Sequence, residues 1–321
     1  MRNLTRLLAI TALLMLTACG ETSTSGGGST PSAGGPAKVD SIAKEVPSSM
    51  QGQTLQIATD PTYAPNELVD ASTGQITGWD VEFGNALCTV MGVQCQWTNV
   101  TFSTIIAQLK ATNSRYAFSL SSWSPTQDRE NSGIDFISYY RAGESFIVKA
   151  SGGPTVNSLA DLCGKTVAVE SGTTEESDAW AFMGQGVGGA PVAGKTDGCK
   201  TAGKSDIKVL SFQKQTEANS ALLSGRADAG WLDQPVAAYQ VKKSNGQFKV
   251  SGQPCSVAPY GLAILKGSSL EPALTEATKY LIQNGFYKQV LDKWGVADGA
   301  IGVSDVKLND NNSVGAVCVQ S

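Results

Sequence analysis

The sequence contains no histidine among its 321 residues. Because histidine is the side chain that ordinarily titrates near neutrality, this absence excludes histidine-based catalytic triads and histidine-containing zinc sites. The seven cysteines also include no CxxC pair, a spacing typical of metal-binding cysteines. We therefore expect neither a bound metal nor a cofactor.

An excess of positive charge is absent as well. The 24 lysine and arginine residues are outnumbered by 28 aspartate and glutamate residues, which gives a net charge of -4 and a pI near 5.0. A nucleic-acid binder needs a basic face to neutralise phosphates, so this class is excluded. The hydrophobic content of 41% is sufficient to fill real cores, and the length suits about two domains.

The N-terminus has the pattern of an export signal. Arg2 and Arg6 precede the apolar run Leu7–Leu16, which is too short to span a bilayer, and the sequence LTAC ending at Cys19 resembles a bacterial lipobox. Residues 1–19 are predicted to be a lipoprotein signal peptide, with Cys19 as the lipid attachment site on the outer face of the cell membrane. An ordinary secretory signal with an incidental cysteine is the alternative. Residues 20–45 begin with a glycine- and serine-rich stretch and are predicted to be a flexible linker.

Six cysteines remain after Cys19, and an even number in an exported chain suits three disulfides. Cys88 and Cys95 are close enough in sequence for a turn between a helix and a strand to join them. Pairing in chain order joins the others as Cys163–Cys199 and Cys255–Cys318. About 15 connectivities exist for six cysteines, so these last two pairings stay open at the level of sequence.

Predicted strands and helices alternate along the chain in two passes. The strands cover 54–59, 94–100, 116–121, 146–149, 166–170, 207–210, 227–231 and 260–266. The helices cover 81–91, 102–111, 157–163, 175–182, 215–224, 233–243, 271–284 and 287–294. This alternation predicts an α/β fold with mostly parallel sheets flanked by helices, in which ligands bind beyond the carboxyl ends of strands. Asp80 is predicted to cap the helix 81–91.

Two polar segments follow predicted strands and suit a small anion. The run 121–129 combines serine and threonine hydroxyls with Arg129, whose guanidinium can pair bidentately with a carboxylate. A polar loop with Arg129 in solvent or paired with Glu130 is the alternative. The run 171–174 supplies hydroxyls at a predicted helix start, where backbone N–H groups favour an anion. Asp233 suits a helix N-cap, although such a residue can also face a cleft.

Several motifs, in their order and spacing, carry a family resemblance. They are Thr59–Pro65, Gly78–Val81, Ser122–Arg129, Asp135–Phe136 with Tyr139–Tyr140, Ser171–Thr174 and Asp233–Tyr239. Over residues 53–294 the chain resembles family 3 solute-binding proteins, the extracytoplasmic amino-acid receptors of ABC importers. The resemblance implies a type II periplasmic-binding-protein fold of two hinged lobes. Lobe 1 would comprise 46–141 and 254–321, and lobe 2 would comprise 142–253.

The resemblance also implies ligand contacts. Arg129 would hold the α-carboxylate of an amino acid, helped by Thr174, which shares a motif with Thr173. Tyr63 and Phe102 would sandwich the ligand's side chain. The α-ammonium would be held by Asp233 and by the Ser122 carbonyl or the Ser124 hydroxyl. Asp60 and Glu170 would lie at the far end of the ligand's side chain, where two acids favour a cationic amino acid. The Cys88–Cys95 pair matches a disulfide of relatives.

The predicted function is therefore that of a receptor, expected to be monomeric and not an enzyme, that binds a polar amino acid and delivers it to an ABC permease. The alternative is a dehydratase-like enzyme of the same fold acting on a small carboxylic acid, with Glu170 or Asp60 as general acid. Asn66 and Ala117 depart from the residues usual in the family, and they affect the expected side-chain specificity.

Overall fold

The computed structural model describes residues 35–311 and Cys318. The predicted signal peptide, Cys19 and the first part of the predicted linker lie outside the described residues. Within the described range, no helix has the length and apolar character needed to cross a membrane.

The chain alternates strands and helices, as the sequence predicted. The strands are β1 Thr54–Thr59, β2 Thr62–Tyr63, β3 Glu67–Val69, β4 Ile76–Thr77, β5 Gln94–Asn99, β6 Tyr116–Trp123, β7 Ile134–Lys149, β8 Thr166–Glu170, β9 Lys208–Phe212, β10 Ala229–Asp233 and β11 Phe248–Leu265. The helices are α1 Asp40–Ala43, α2 Trp79–Met91, α3 Phe102–Leu109, α4 Gln127–Asn131, α5 Thr174–Phe182, α6 Gly198–Thr201, α7 Gln215–Ser224, α8 Gln234–Lys243, α9 Glu271–Gln283 and α10 Phe286–Trp294.

One eight-stranded sheet organises the fold, in the order β5-β1-β6-β11-β7-β10-β8-β9. The pairs β1–β5, β1–β6, β8–β9 and β8–β10 are parallel, whereas β7 and β11 pair antiparallel with each other and with their outer neighbours. Parallel flanks therefore lie on both sides of a central antiparallel pair. The α/β architecture confirms the predicted fold class.

The two central strands are much longer than the sequence predicted. β7 has 16 residues and β11 has 18, whereas the predicted segments covered 146–149 and 260–266. Register shifts interrupt their pairing between Ser251 and Cys255 and between Cys255 and Ala258. The polar and glycine residues near these shifts hide the continuity of each strand from a pattern-based prediction. The predicted lobe boundaries at 141/142 and 253/254 fall inside these two strands.

Separate hydrophobic cores lie on the two flanks. The first packs α2, α9 and α10 against β1 and β11, with Phe83, Leu87, Leu274 and Leu291 fully or almost fully buried. The second surrounds β8 and β10 and contains Trp231, with Phe146 of β7. Each fully buried side chain of this size contributes about 1.5–3 kcal/mol relative to exposure, so each flank is stabilised largely by its own core.

The folded part begins earlier than the sequence predicted. α1 lies inside the range 20–45 that was assigned to a linker, and Ile42 and Val46 join the first core. Apolar residues in this part of the segment can bury surface, unlike the glycine- and serine-rich stretch before them.

Three disulfides join the six cysteines in chain order: Cys88–Cys95, Cys163–Cys199 and Cys255–Cys318. Their Cα atoms are 5.8, 5.5 and 4.8 Å apart, within the usual range for a disulfide. The structure thereby settles the two pairings that the sequence left open. The third bond ties Cys318 to β11.

Loss of the Cys163–Cys199 bond should destabilise the protein more than loss of the Cys88–Cys95 bond. The two loops have sequence separations of 36 and 7 residues, and loop-closure entropy rises with length, so we expect a difference of about 1 kcal/mol. Urea denaturation of the two double-alanine variants measures it. A larger loss for the Cys88–Cys95 variant would contradict this ranking.

Candidate functional site

A cavity lies at the carboxyl ends of β1, β6, β8 and β10. The ten residues assigned a ligand-binding role from the sequence all line it: Asp60, Tyr63, Phe102, Ser122, Ser124, Arg129, Glu170, Thr173, Thr174 and Asp233. Three further lining residues had no predicted role: Glu67, Ser121 and Glu175. Residues far apart in sequence therefore meet where an α/β sheet ordinarily binds its ligand.

Arg129 occupies α4 and is held by two carbonyl groups. Its Nη1 donates to the carbonyl oxygen of Ser124 at 2.7 Å and its Nη2 to that of Gly172 at 2.8 Å. No carboxylate of the described residues lies within ion-pair distance of it. Desolvation lowers the pKa of Arg129 to about 10, so it stays protonated at neutral pH. A guanidinium has five N–H donors, and these two bonds leave others for a ligand.

Aromatic rings form the support beneath this guanidinium. Phe102 stacks on Trp123 with ring centroids 4.1 Å apart, and the Arg129 guanidinium carbon lies 4.9 Å from the Trp123 ring and 5.7 Å from the Phe102 ring. Trp123 is 2% exposed and packs behind the cavity wall rather than lining it. The cation–π contacts hold Arg129 in place without neutralising its charge.

The start of α5 forms the facing wall. Thr173 is the N-cap, and its Oγ1 accepts the backbone N–H of Glu176 at 3.2 Å. Gly172 approaches α3 so closely that an added Cβ would lie 2.9 Å from the Cα of Ser103. Its φ of 86° also disfavours any other residue. The positive end of the helix dipole, with Thr174 in the first turn, therefore lies beside Arg129.

Asp233 ends β10 at the N-cap position of α8, but its side chain makes no capping bond. Its carboxylate instead accepts the hydroxyl of Tyr63 at 3.1 Å, and the same hydroxyl oxygen accepts the Asp233 backbone N–H at 3.0 Å. Burial raises the pKa of Asp233 to about 6. Asp233 therefore occupies the predicted N-cap position, while its side chain faces the cavity instead of capping the helix.

Asp60 and Glu170 also line the cavity. Asp60 accepts the backbone N–H of Phe102 at 2.8 Å, and Glu170 accepts the hydroxyl of Thr62 at 3.4 Å. Burial raises the pKa of both carboxyl groups, and the negative charge of Asp60 raises that of Glu170 further. Two acids that repel each other across a buried space favour a cation between them.

Comparisons with known proteins agree with this geometry. Residues 55–297 match the sequence model of the bacterial extracellular solute-binding proteins, family 3. The chain belongs to this family.

A curated relative of this solute-binding protein is the arginine-binding protein ArgT of Corynebacterium glutamicum. The two are 30% identical over 83% of this chain and 82% of the relative. Among solved structures, an ancestral arginine-binding protein bound to arginine shares 30% identity with a TM-score of 0.65, covering 76% of this chain and 99% of that one. An ancestral amino-acid-binding protein, described as a precursor of cyclohexadienyl dehydratase, shares 29% identity with a TM-score of 0.62, covering 79% and 98%.

A buried polar network extends from the cavity wall of the solute-binding protein into the interior. Asp80 accepts the hydroxyl of Tyr139 at 2.8 Å and the backbone N–H of Ser122 at 3.3 Å, and Ser121 donates to Glu67 at 3.2 Å. Ser122 has a φ of 54°, an uncommon conformation for serine, and these bonds hold it there. The network therefore fixes the serine run from behind.

The predicted capping role of Asp80 is wrong. Gly78 is the N-cap of α2 with a φ of 134°, and a Cβ there would collide with the carbonyl oxygen of Asn66 at 2.0 Å. Because the helix begins at Trp79, Asp80 lies within its first turn, and its buried carboxylate accepts hydrogen bonds from Tyr139 and Ser122 instead. Asn66, which departs from the usual family residue, accepts the Trp79 indole N–H at 2.7 Å and donates to Ser122 at 2.8 Å.

Sequence reasoning missed Glu67 and Glu175 because a glutamate carries no signal of its own burial. Glu67 is fully buried on β3 and Glu175 is 2% exposed on α5. The one available clue was their position near recognised motifs, since Glu67 lies two residues after Pro65 and Glu175 directly follows Thr174.

Stability should fall as the pH rises through the range in which Asp80 ionises. Burial raises the pKa of Asp80 to about 7, and burial beside Asp80 raises that of Glu67 well above its ordinary value. An acid with a raised folded pKa favours the folded state below that pKa and loses this contribution above it. We therefore expect the free energy of unfolding to decrease less from pH 5 to pH 8 in Asp80→Asn than in wild type, with a difference on the order of 2 kcal/mol.

Chemical denaturation at several pH values measures this difference. Asp206→Asn, which changes an exposed aspartate in the same way, should retain the wild-type pH dependence. A wild-type profile that rises from pH 5 to 8 would contradict the assignment.

Proposed function

We propose that this protein is the extracytoplasmic receptor of an ABC importer and binds a cationic amino acid. The main support for this proposal is the excess of acidic groups in the cavity. Five carboxyl groups line it, those of Asp60, Glu67, Glu170, Glu175 and Asp233, against the single guanidinium of Arg129. Buried charges are costly unless each meets a partner, so this imbalance favours a ligand with net positive charge.

Arg129 and Asp233 provide opposite charges for the two ends of a zwitterion. Arg129, with the α5 N-terminus, would hold the α-carboxylate, while Asp233 would hold the α-ammonium. Asp60 and Glu170 would then receive the cationic end of the ligand's side chain. Arginine-binding relatives at about 30% identity support this choice of ligand class.

Ligand binding would stabilise a closed form of two lobes. Arg129 and Tyr63 belong to the proposed lobe 1, while Gly172 and Asp233 belong to the proposed lobe 2. The hydrogen bonds Arg129–Gly172 and Tyr63–Asp233 therefore join parts of the chain that separate when β7 and β11 bend. A closed form is favoured because it alone offers both charge partners to the zwitterion, and the permease would bind this form.

Export, lipid attachment at Cys19 and a monomeric state complete the proposal. The lipobox-like sequence supports the anchor, and membership of an extracellular family supports export. Mass spectrometry of membrane-extracted protein would detect the lipid on Cys19.

An enzymatic role is the second candidate, because one structural relative is described as a precursor of a dehydratase. Glu170 and Asp60 have the raised pKa that a general acid needs. We favour the receptor, since the cavity also provides a complete set of charges for a zwitterion. Turnover of a carboxylic acid instead of stoichiometric binding would decide for the enzyme.

Removing Arg129 should weaken arginine binding by about 2–5 kcal/mol, because a buried carboxylate would lose its partner. Isothermal titration calorimetry with L-arginine measures the loss.

Glu170→Gln should weaken arginine binding by about 1–3 kcal/mol, because a charged hydrogen-bond partner is lost at the far end of the cavity.

Arg115→Ala is a matched control, since it removes an arginine that contacts Tyr116 away from the cavity. It should bind arginine like wild type. Near-unchanged affinity in Arg129→Ala would refute the carboxylate-binding role.

A further inference from the structure

Glu175 is a buried acid in the cavity wall that had no place in the predicted ligand set. It lies in the first turn of α5, directly after Thr174, and is 2% exposed. Its Oε2 accepts the hydroxyl of Thr174 at 3.3 Å, whereas Oε1 is buried and receives no hydrogen bond from the described residues. An unpartnered carboxyl oxygen at a ligand cavity suggests a role in binding.

The carboxyl group of Glu175 lines the same cavity as the Asp233 carboxylate and is near enough to interact with it directly. Other titratable or charged groups face it from each neighbouring element. They are Arg129 on α4, Asp178 on α5, Glu144 on β7, Glu170 on β8 and Tyr63 on β2. Acids dominate this set, so the surroundings do not offset a second negative charge beside Asp233.

Two neighbouring carboxyl groups held away from water cannot both ionise cheaply, which favours one proton shared between them. Burial and the charge of Asp233 raise the pKa of Glu175 well above its ordinary value. A shared proton gives Glu175 a donor toward Asp233 and accounts for the absence of any other partner for Oε1. The pair then carries about one negative charge in the empty cavity.

We propose that Glu175 is a further ligand-positioning residue, which shares a proton with Asp233 in the empty cavity and releases it when the ligand's α-ammonium arrives. The O–H bond of the shared carboxyl group breaks, the proton passes to solvent, and the ammonium keeps its own protons. Two carboxylates then face one ammonium. This inference rests on the proposed function, because it requires an amino-acid ligand at Asp233.

Arginine affinity should then depend on pH in a direction fixed by proton release. Below the pKa of the pair, binding must displace the proton and weakens by up to about tenfold per pH unit for one proton. Above it, the proton is already lost and the dependence disappears. Burial and the charge of Asp233 raise the pKa of Glu175, so this dependence extends above the pH at which an ordinary glutamate has lost its proton.

Calorimetry of L-arginine binding at about pH 6, in two buffers with different ionisation enthalpies, measures the protons released. Wild type should release roughly one proton more than Glu175→Gln, because the amide has no proton to release. The Glu170 end can release its own proton, so the difference between the two proteins is the relevant quantity. Glu45→Gln, which changes an exposed glutamate, should match wild type.

Equal proton release by wild type and Glu175→Gln would overturn the proposal. A wild type that binds arginine with no proton exchange would also overturn it, even if the variant fails to fold, and would leave the proposed function intact. If no cationic amino acid binds to wild type at all, the proposed function itself fails.

Discussion

The structure depends on one electrostatic constraint, which is that several buried carboxyl groups share a cavity with a single guanidinium. Desolvation raises the pKa of Asp60, Glu67, Glu170, Glu175 and Asp233, so ionisation of all five carboxyl groups in the empty site is unfavourable. Arg129 is held by carbonyl groups and aromatic rings rather than by a carboxylate. The positive charge of Arg129 thus remains available to an anionic group of a ligand, and the carboxyl groups remain available to a cationic group.

The fold makes this arrangement possible by bringing two independently packed flanks to one edge. β7 and β11 run through both flanks, and their register shifts lie where the proposed lobes meet. The parallel strands of both flanks end at the cavity. β1 and β6 belong to one flank, and β8 and β10 belong to the other. In the proposed two-lobed protein, bending at these register shifts would bring the charges together without rebuilding either core.

Local patterns predicted the site better than they predicted its electrostatics. Arg129, Thr174 and Asp233 lie in short motifs that follow strands. Because the strand ends meet at one edge of the sheet, the position of these residues along the chain was enough to place them near one another. Glu67 and Glu175 were missed because their burial depends on packing against distant elements. The long central strands escaped prediction because polar and glycine residues interrupt the pattern. The capping role of Asp80 failed because the helix begins earlier, at Trp79, and Asp80 bonds to Tyr139 and Ser122.

The central claim is that this charge imbalance selects a cationic side chain. Competition between L-arginine and L-citrulline, measured by calorimetry at neutral pH, tests it most directly, because the two ligands have nearly the same shape and differ in the charge of the terminal group. The account predicts that arginine binds at least about 30-fold more tightly, since citrulline leaves Asp60 and Glu170 without a cation. Equal affinity for the two ligands would contradict it.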